Sequence, residues 1–387
     1  MFRKRFLIIF TITFSLIFIS GFVESNSLIL NPDEMCWILD RISVQGAWEI
    51  TTGSPDIVVA VIDSGIDFSH PDLVDNQWIN KDEKADNGKD DDNNGYIDDR
   101  FGWDFYYADN TPGPEALELY HGHGTFVAGV IAANMDGYGI VGVSPNVKVM
   151  NLRALDKFLG HSSYNLSEAI FYAVDNGADV ISFCIDGADP VAELNSSIEY
   201  AYDHNVIMVG SVGGFGWTNR RIWPREFIEY PAAYDEVICV SPSDYSDGYA
   251  NYSNWGDGID VSAPSGELAD PMIYYPNSTW HPVGYTQLYG IAHVPQVAGV
   301  VALMKSLNRS ITLEQAKDFF ISTAVDIGDP GYDDYFGYGM INATAVILEA
   351  QKIAETGFMS LQVLIPLLLC LIVVRLKKQK RMIKSLR

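Results

Sequence analysis

Ile57-Val58-Val59-Ala60-Val61-Ile62-Asp63-Ser64-Gly65 is an unbroken apolar run that closes on a carboxylate, a hydroxyl and a glycine. A strand with one wet face would alternate polar and apolar residues. A continuous β-branched run bounded by turn residues reads instead as a strand buried on both faces, the pattern of parallel sheets. Runs of the same kind recur at Val147–Leu152, Asp179–Phe183, Val206–Val209 and Val237–Val240, at separations that fit a helix. One intervening stretch, Asn165–Asn176, carries Leu166, Ala169, Ile170, Ala173 and Val174 at helical spacing. Strands alternating with helices build βαβ units, so the chain is read as an α/β fold with a parallel sheet covered on both sides. Sites in such sheets form beyond the carboxyl ends of the strands. Asp63 and the pair Gly213-Gly214 fall there.

Two segments make the reading specific. Val61-Ile62-Asp63-Ser64-Gly65-Ile66-Asp67 and His121-Gly122-His123-Gly124-Thr125-Phe126-Val127-Ala128-Gly129 resemble the first two signatures of the subtilase family. Leu39-Asp40-Arg41-Ile42, Gly139–Val143, Ser262-Ala263-Pro264 and Tyr338–Ala343 extend the resemblance over roughly residues 36–350. It implies a three-layer α/β/α subtilisin-like sandwich around a mostly parallel sheet. It also implies serine-type acyl transfer, in which a serine attacks the peptide carbonyl, a histidine takes its proton and an aspartate orients the histidine. By motif position Asp63 is that aspartate and His123 that histidine. His121, two residues earlier, reads as a packing or capping residue.

The third signature departs from the pattern. The family has Gly-Thr-Ser-Met-Ala-Thr/Ser-Pro-His-Val-Ala-Gly where this chain has Gly290-Ile291-Ala292-His293-Val294-Pro295-Gln296-Val297-Ala298-Gly299. Anchored at Pro295 the serine position falls on Ile291, and anchored at Gly290 it falls on Ala292. Neither side chain can form an acyl-enzyme. The asparagine that donates its amide to the oxyanion in relatives corresponds to Gly214, and the groove-lining Ser-Leu-Gly-Gly corresponds to Cys184-Ile185-Asp186-Gly187. Losing such a serine costs about 10⁶ in turnover, and losing the asparagine roughly 10²–10³. Asp186 puts a charged side chain where a substrate strand would dock. Cys184 is the rival nucleophile, read as a small apolar residue at a strand end, and His293 has no evident nucleophile to activate. Only about a dozen residues separate Ser27 from Leu39, too few for the folding pro-domain that relatives usually carry.

Asp90-Asp91-Asp92-Asn93-Asn94-Gly95-Tyr96-Ile97-Asp98-Asp99 resembles a calcium loop. Oxygens from Asp90, Asp92, Asn94, the Tyr96 carbonyl and Asp98 alternate along it, and Gly95 allows the sharp turn. Phe101 stands where a complete EF-hand has its bidentate glutamate, so the loop is no full EF-hand. Crowded carboxylates repel one another without a cation, and calcium is the expected structural cofactor.

The termini set the expected topology. Arg3-Lys4-Arg5 followed by an apolar run reads as a secretory signal over residues 1–26, ahead of a subtilisin-like domain over 27–350 and a linker over 351–358. Residues 359–374 are almost wholly apolar and are followed by seven Lys/Arg in 375–387. This is the pattern of a single-pass helix with a basic cytoplasmic tail and the domain outside the cell. Setting signal and tail aside leaves fifteen Lys+Arg against 49 Asp+Glu, a net charge of about −34. Such a field opposes nucleic acid and anionic membrane surfaces. Of four cysteines, Cys370 lies in the apolar segment, so Cys36, Cys184 and Cys239 allow at most one disulfide. Asn-x-Ser/Thr sequons occur at Asn195, Asn251 and Asn277. The resulting expectation is a cell-surface subtilase homologue without proteolytic activity that binds a protein or peptide ligand. The alternative is an active endopeptidase with an atypical nucleophile.

Overall fold

The computed structural model describes residues 37–115, 122–214, 225–267, 270–271, 273–276 and 285–354. The expected signal and membrane segments lie outside them. Among the described residues no helix is long and apolar enough to cross a membrane.

Seven strands form one sheet in the order β2-β3-β1-β4-β5-β6-β7. They are β1 (Val58–Asp63), β2 (Trp103–Asp104), β3 (Lys148–Arg153), β4 (Val180–Phe183), β5 (Ile207–Ser211), β6 (Val237–Ser243) and β7 (Val261–Pro264). Every pairing is parallel. The five apolar runs became β1, β3, β4, β5 and β6, each within a few residues of its sequence reading. The short β2 and β7 carry too little pattern to be read as strands from periodicity. A separate antiparallel pair joins β8 (Ile273–Pro276) and β9 (Tyr285–Leu288).

Why the β1 run is continuous is visible in its two faces. Val59 and Val61 pack with α1 (Trp37–Arg41), α2 (Val44–Trp48), α3 (His123–Ala132), α6 (His293–Leu307), α7 (Leu313–Thr323) and the helix α8 over 343–354. Val58, Ala60 and Ile62 pack on the other side with α4 (Ser163–Asp175) and α5 (Ala192–Asp203). Successive side chains point to opposite faces, so two apolar cores meet the same strand. This is the three-layer α/β/α sandwich. Helix α8 runs on through 351–354, the first residues of the segment read as a linker.

Helix α6 is the centre of its layer, with every residue from His293 to Lys305 buried. Lys305 is 2% exposed and donates through Nζ to the carbonyls of Asn205 and Arg309, at 2.8 and 3.2 Å. Burial depresses its pKa to about 8. A capping box at Thr312 and Gln315 starts α7.

Backbone contacts lock the chain around the end of β1. The amide of Gly124 donates to Ser64 Oγ at 3.3 Å, and that of Asp67 to Thr125 Oγ1 at 3.0 Å. A Cβ on Gly124 would lie 2.5 Å from Gly65 O and 3.1 Å from Asp63 Oδ1. Gly124→Ala is therefore expected to destabilise the fold by about 1–3 kcal/mol through overpacking against backbone. Gly113→Ala has open space around it and is expected to be near neutral. Urea midpoints at unchanged m-value measure both.

Candidate functional site

Asp63 ends β1 and His123 opens α3, where Gly122 takes a left-handed φ of 90° to turn the chain into the helix. Nδ1 of His123 lies 2.8 Å from Asp63 Oδ1 and 3.0 Å from Oδ2. The amide of Ser64 donates to Asp63 Oδ1 at 2.7 Å and fixes the carboxylate. The pair is closed off from solvent, at 1% and 3% exposure. Burial alone would depress the His123 pKa. The Asp63 charge and hydrogen bond, with a further contribution from Cys184, override it and hold the imidazole well above its ordinary value.

The N-terminus of α6 faces the same region. Its cap position is Ala292, without a side-chain cap, and the residue before it is Ile291. The Ala292 amide donates to Ser265 Oγ at 3.0 Å. His293, the first helical residue, has hydroxyl neighbours that sequence reasoning missed. Its Nε2 is 3.1 Å from Ser211 Oγ, and its Nδ1 is 3.4 Å from Ser265 Oγ. Burial pushes its pKa down to about 3, so the ring is neutral. Ser211 and Ser265 are 82 and 28 residues from His293 in the chain, and no local motif joins them.

At the end of β5 the backbone itself is specialised. Gly214 has φ 114°, and a Cβ there would strike the Asn254 amide nitrogen and Tyr252 carbonyl. An asparagine side chain has no room at this position. The Gly214 amide instead donates to Asp186 Oδ2 at 3.1 Å. Burial raises the Asp186 pKa to about 6, with the Gly214 hydrogen bond acting against it and Glu229 adding to it. The groove position expected to carry a charge thus holds a carboxylate folded onto a backbone donor.

Cys184, named from the sequence as the rival nucleophile and read as a small apolar residue, lies just beyond β4. Its thiol donates to Ile291 O at 3.2 Å. Burial raises the thiol pKa, with the His123 imidazole acting against it. The sequence placed it at a strand end, where it is, but 61 residues from His123 no spacing rule connects the two.

The acidic loop lies away from this cleft. Carboxylate oxygens of Glu83, Asp90 and Asp92 lie within 4.8 Å of one another. Glu83 was not among the expected ligands. It is fully buried, its Oε2 accepts the Asp91 amide at 2.9 Å, and its Oε1 has no partner. Asp98 does not join the group, since its carboxylate accepts the amides of Asn87 and Gly88 at 2.8 and 2.9 Å. The Asn94 side chain donates to Asp92 and Asp99. The ring of Tyr96 packs edge-on against Tyr172 and Trp103.

A strand-end Asp paired with a helix-start His on a parallel three-layer sheet defines a subtilisin-like hydrolase scaffold. The subtilase family profile matches residues 54–339, and the chain belongs to that family. It is 32% identical over 299 residues to the thermophilic serine proteinase of Bacillus sp. strain AK1, covering 77% of this chain and 63% of that protein. Against thermitase of Thermoactinomyces vulgaris the identity is 30% over 304 residues, covering 78% of this chain and 92% of the relative. The crystal structure of a lanthipeptide protease superposes with a TM-score of 0.66 at 25% identity, over 83% of this chain and 96% of the other.

The raised Asp186 pKa has a signed consequence. Between the ordinary value of 3.8 and about 6 the folded state holds a proton that the unfolded state has released. Stability contributed by the neutral form is present below pH 4 and lost as pH rises through 6. Asp186→Asn keeps an acceptor for Gly214 without the charge. It is expected to be more stable than the parent at pH 7 and level with it at pH 3.5, as read by denaturation at both pH values.

Proposed function

We propose that this chain is a subtilase homologue without serine-protease activity, which uses the scaffold as a membrane-anchored, extracellular binding protein for a protein or peptide ligand. The observation that carries the reading is the start of α6, where Ile291 and Ala292 stand in the segment that must supply a hydroxyl. Three further features support it. The Asp63–His123 pair is almost wholly shielded. The Gly214 amide is engaged by the chain's own Asp186 carboxylate. No asparagine amide can be carried at 214, so a tetrahedral oxyanion would lack its side-chain donor.

The apolar run over 359–374 with seven following cations supports the anchor. The excess of acidic residues in the remainder supports a cationic rather than an anionic ligand surface.

A fluorophosphonate probe tests the enzymatic half of this reading. Thermitase run alongside should label stoichiometrically and the purified chain should remain unlabelled. Stoichiometric labelling of the chain, or cleavage of casein by it, would refute the assignment.

Calcium is the cofactor that the acidic loop fits. Glu83, Asp90 and Asp92 offer hard oxygen donors, and the partnerless buried Oε1 of Glu83 is the kind of atom a cation satisfies. The ion would stabilise the loop and take no part in chemistry. Binding to the native state alone adds about 2.7 kcal/mol at a hundredfold excess over Kd, so Ca²⁺ should raise Tm and chelator should lower it. Glu83→Gln is expected to remove most of that difference. A Tm indifferent to both additions would count against the site.

A further inference from the structure

We propose that the aromatic and acidic surface built from residues 225–229, 249–258 and 332–338 is the docking site for an arginine-rich peptide segment of a partner protein. The inference rests on the reading of the chain as a binding protein and gives its ligand a chemistry. It does not depend on the loss of protease activity.

Three segments distant in sequence make one surface. The Phe227 amide donates to the Trp255 carbonyl at 2.8 Å, and that of Gly256 to the Asp334 carbonyl at 2.8 Å. Tyr335 stacks on Trp255 with ring centroids 6.0 Å apart and meets Tyr249 edge-on at 4.9 Å. Tyr332 meets Tyr338 edge-on at 5.2 Å, and its hydroxyl accepts the Gly258 amide at 2.8 Å. The Asp333 carboxylate accepts the amides of Tyr335 and Phe336 at 2.7 and 2.9 Å and fixes the turn that presents these rings. Phe227, Tyr335 and Tyr338 are 41% exposed and Tyr332 38%. Contiguous exposed rings mark an interaction site, and rings already held in place lose little freedom on binding.

Charge decides the kind of partner. Glu226, Asp257 and Asp334 are exposed in the same three segments. Among the described residues no lysine or arginine pairs with them. A second copy of the chain would bring like charges face to face. A cation is attracted by the carboxylates and by the ring faces together. The surface already contains one such arrangement. The Arg225 guanidinium carbon lies 4.3 Å from the centroid of Phe227, while the same group pairs with Glu229. Arginine suits the role better than lysine, because its planar, weakly hydrated group stacks on a ring while its edge meets a carboxylate. An arginine-rich segment repeats that arrangement on Trp255, Tyr335 and the free carboxylates beside them.

The test is fluorescence anisotropy of labelled nona-arginine, nona-lysine and nona-glutamate with the full chain, at about 0.15 M salt, where distant charges are screened. Nona-arginine should bind several-fold tighter than nona-lysine, and nona-glutamate should not bind. Neutralising the three free carboxylates together (Glu226→Gln, Asp257→Asn and Asp334→Asn) should weaken nona-arginine roughly tenfold, the scale of three exposed ion pairs. Neutralising Glu49, Asp56 and Glu193 instead, which are exposed on other elements, should leave its affinity within about twofold. Tyr335→Leu, at an exposed ring, should shrink the preference for arginine over lysine. Equal weakening by the two triple variants would overturn this surface and leave a cationic ligand standing, whereas failure of both polycations to bind would overturn both. Binding that appears only once residues 375–387 are removed would overturn the partner and give the surface to the chain's own basic tail.

Discussion

Burial of β1 on both faces is the constraint from which the architecture follows. A strand with Val59 and Val61 in one core and Val58, Ala60 and Ile62 in another leaves no place for polar chemistry along its length. Helices must cover both sides, and parallel connections bring every strand to finish at the same edge. Polar side chains that need partners collect beyond that edge. Asp63, Cys184, Ser211 and Gly214 all belong there, contributed by β1, β4 and β5 or by the residues that follow them. Helices α3 and α6 point their first turns at the same region and bring His123, Ala292 and His293. The cleft is a product of the sheet before it is a product of any one residue.

That edge holds two histidines in opposite electrostatic settings. His123 has a carboxylate on Nδ1, which keeps it readily protonated despite its depth. Among the described residues the partners of His293 are hydroxyls, and burial holds it neutral. Similar depth yields opposite charge states because one ring has an anion within hydrogen-bond distance and the other has not. Asp186 shows the same rule for a carboxylate, where one backbone amide does not offset the cost of burial.

Much of this was legible in the sequence. Apolar runs located five of the seven sheet strands because strands buried on both faces announce themselves by composition. Asp63 and His123 were legible because each sits in a segment whose glycines serve tight backbone contacts, as Gly124 against Gly65 illustrates. What escaped is what the fold assembles from distant parts. Ser211 meets His293, and the Cys184 thiol meets the Ile291 carbonyl, only because β5 and β4 end beside the start of α6. Glu83 escaped for another reason. It stands seven residues before Asp90, outside the alternating run, and its burial depends on packing that no local pattern encodes. Alternation, which put Asp98 among the expected ligands, gives the way a side chain can point, while the amides of Asn87 and Gly88 hold its carboxylate in this structure.

Gly214 ties three segments together. Its left-handed backbone is pressed against the Asn254 amide nitrogen and the Tyr252 carbonyl, and its own N–H is committed to Asp186. Any side chain at 214 would have to displace the backbone at 252–254. The end of β5, that loop and the residue at 186 are therefore free to vary only in concert.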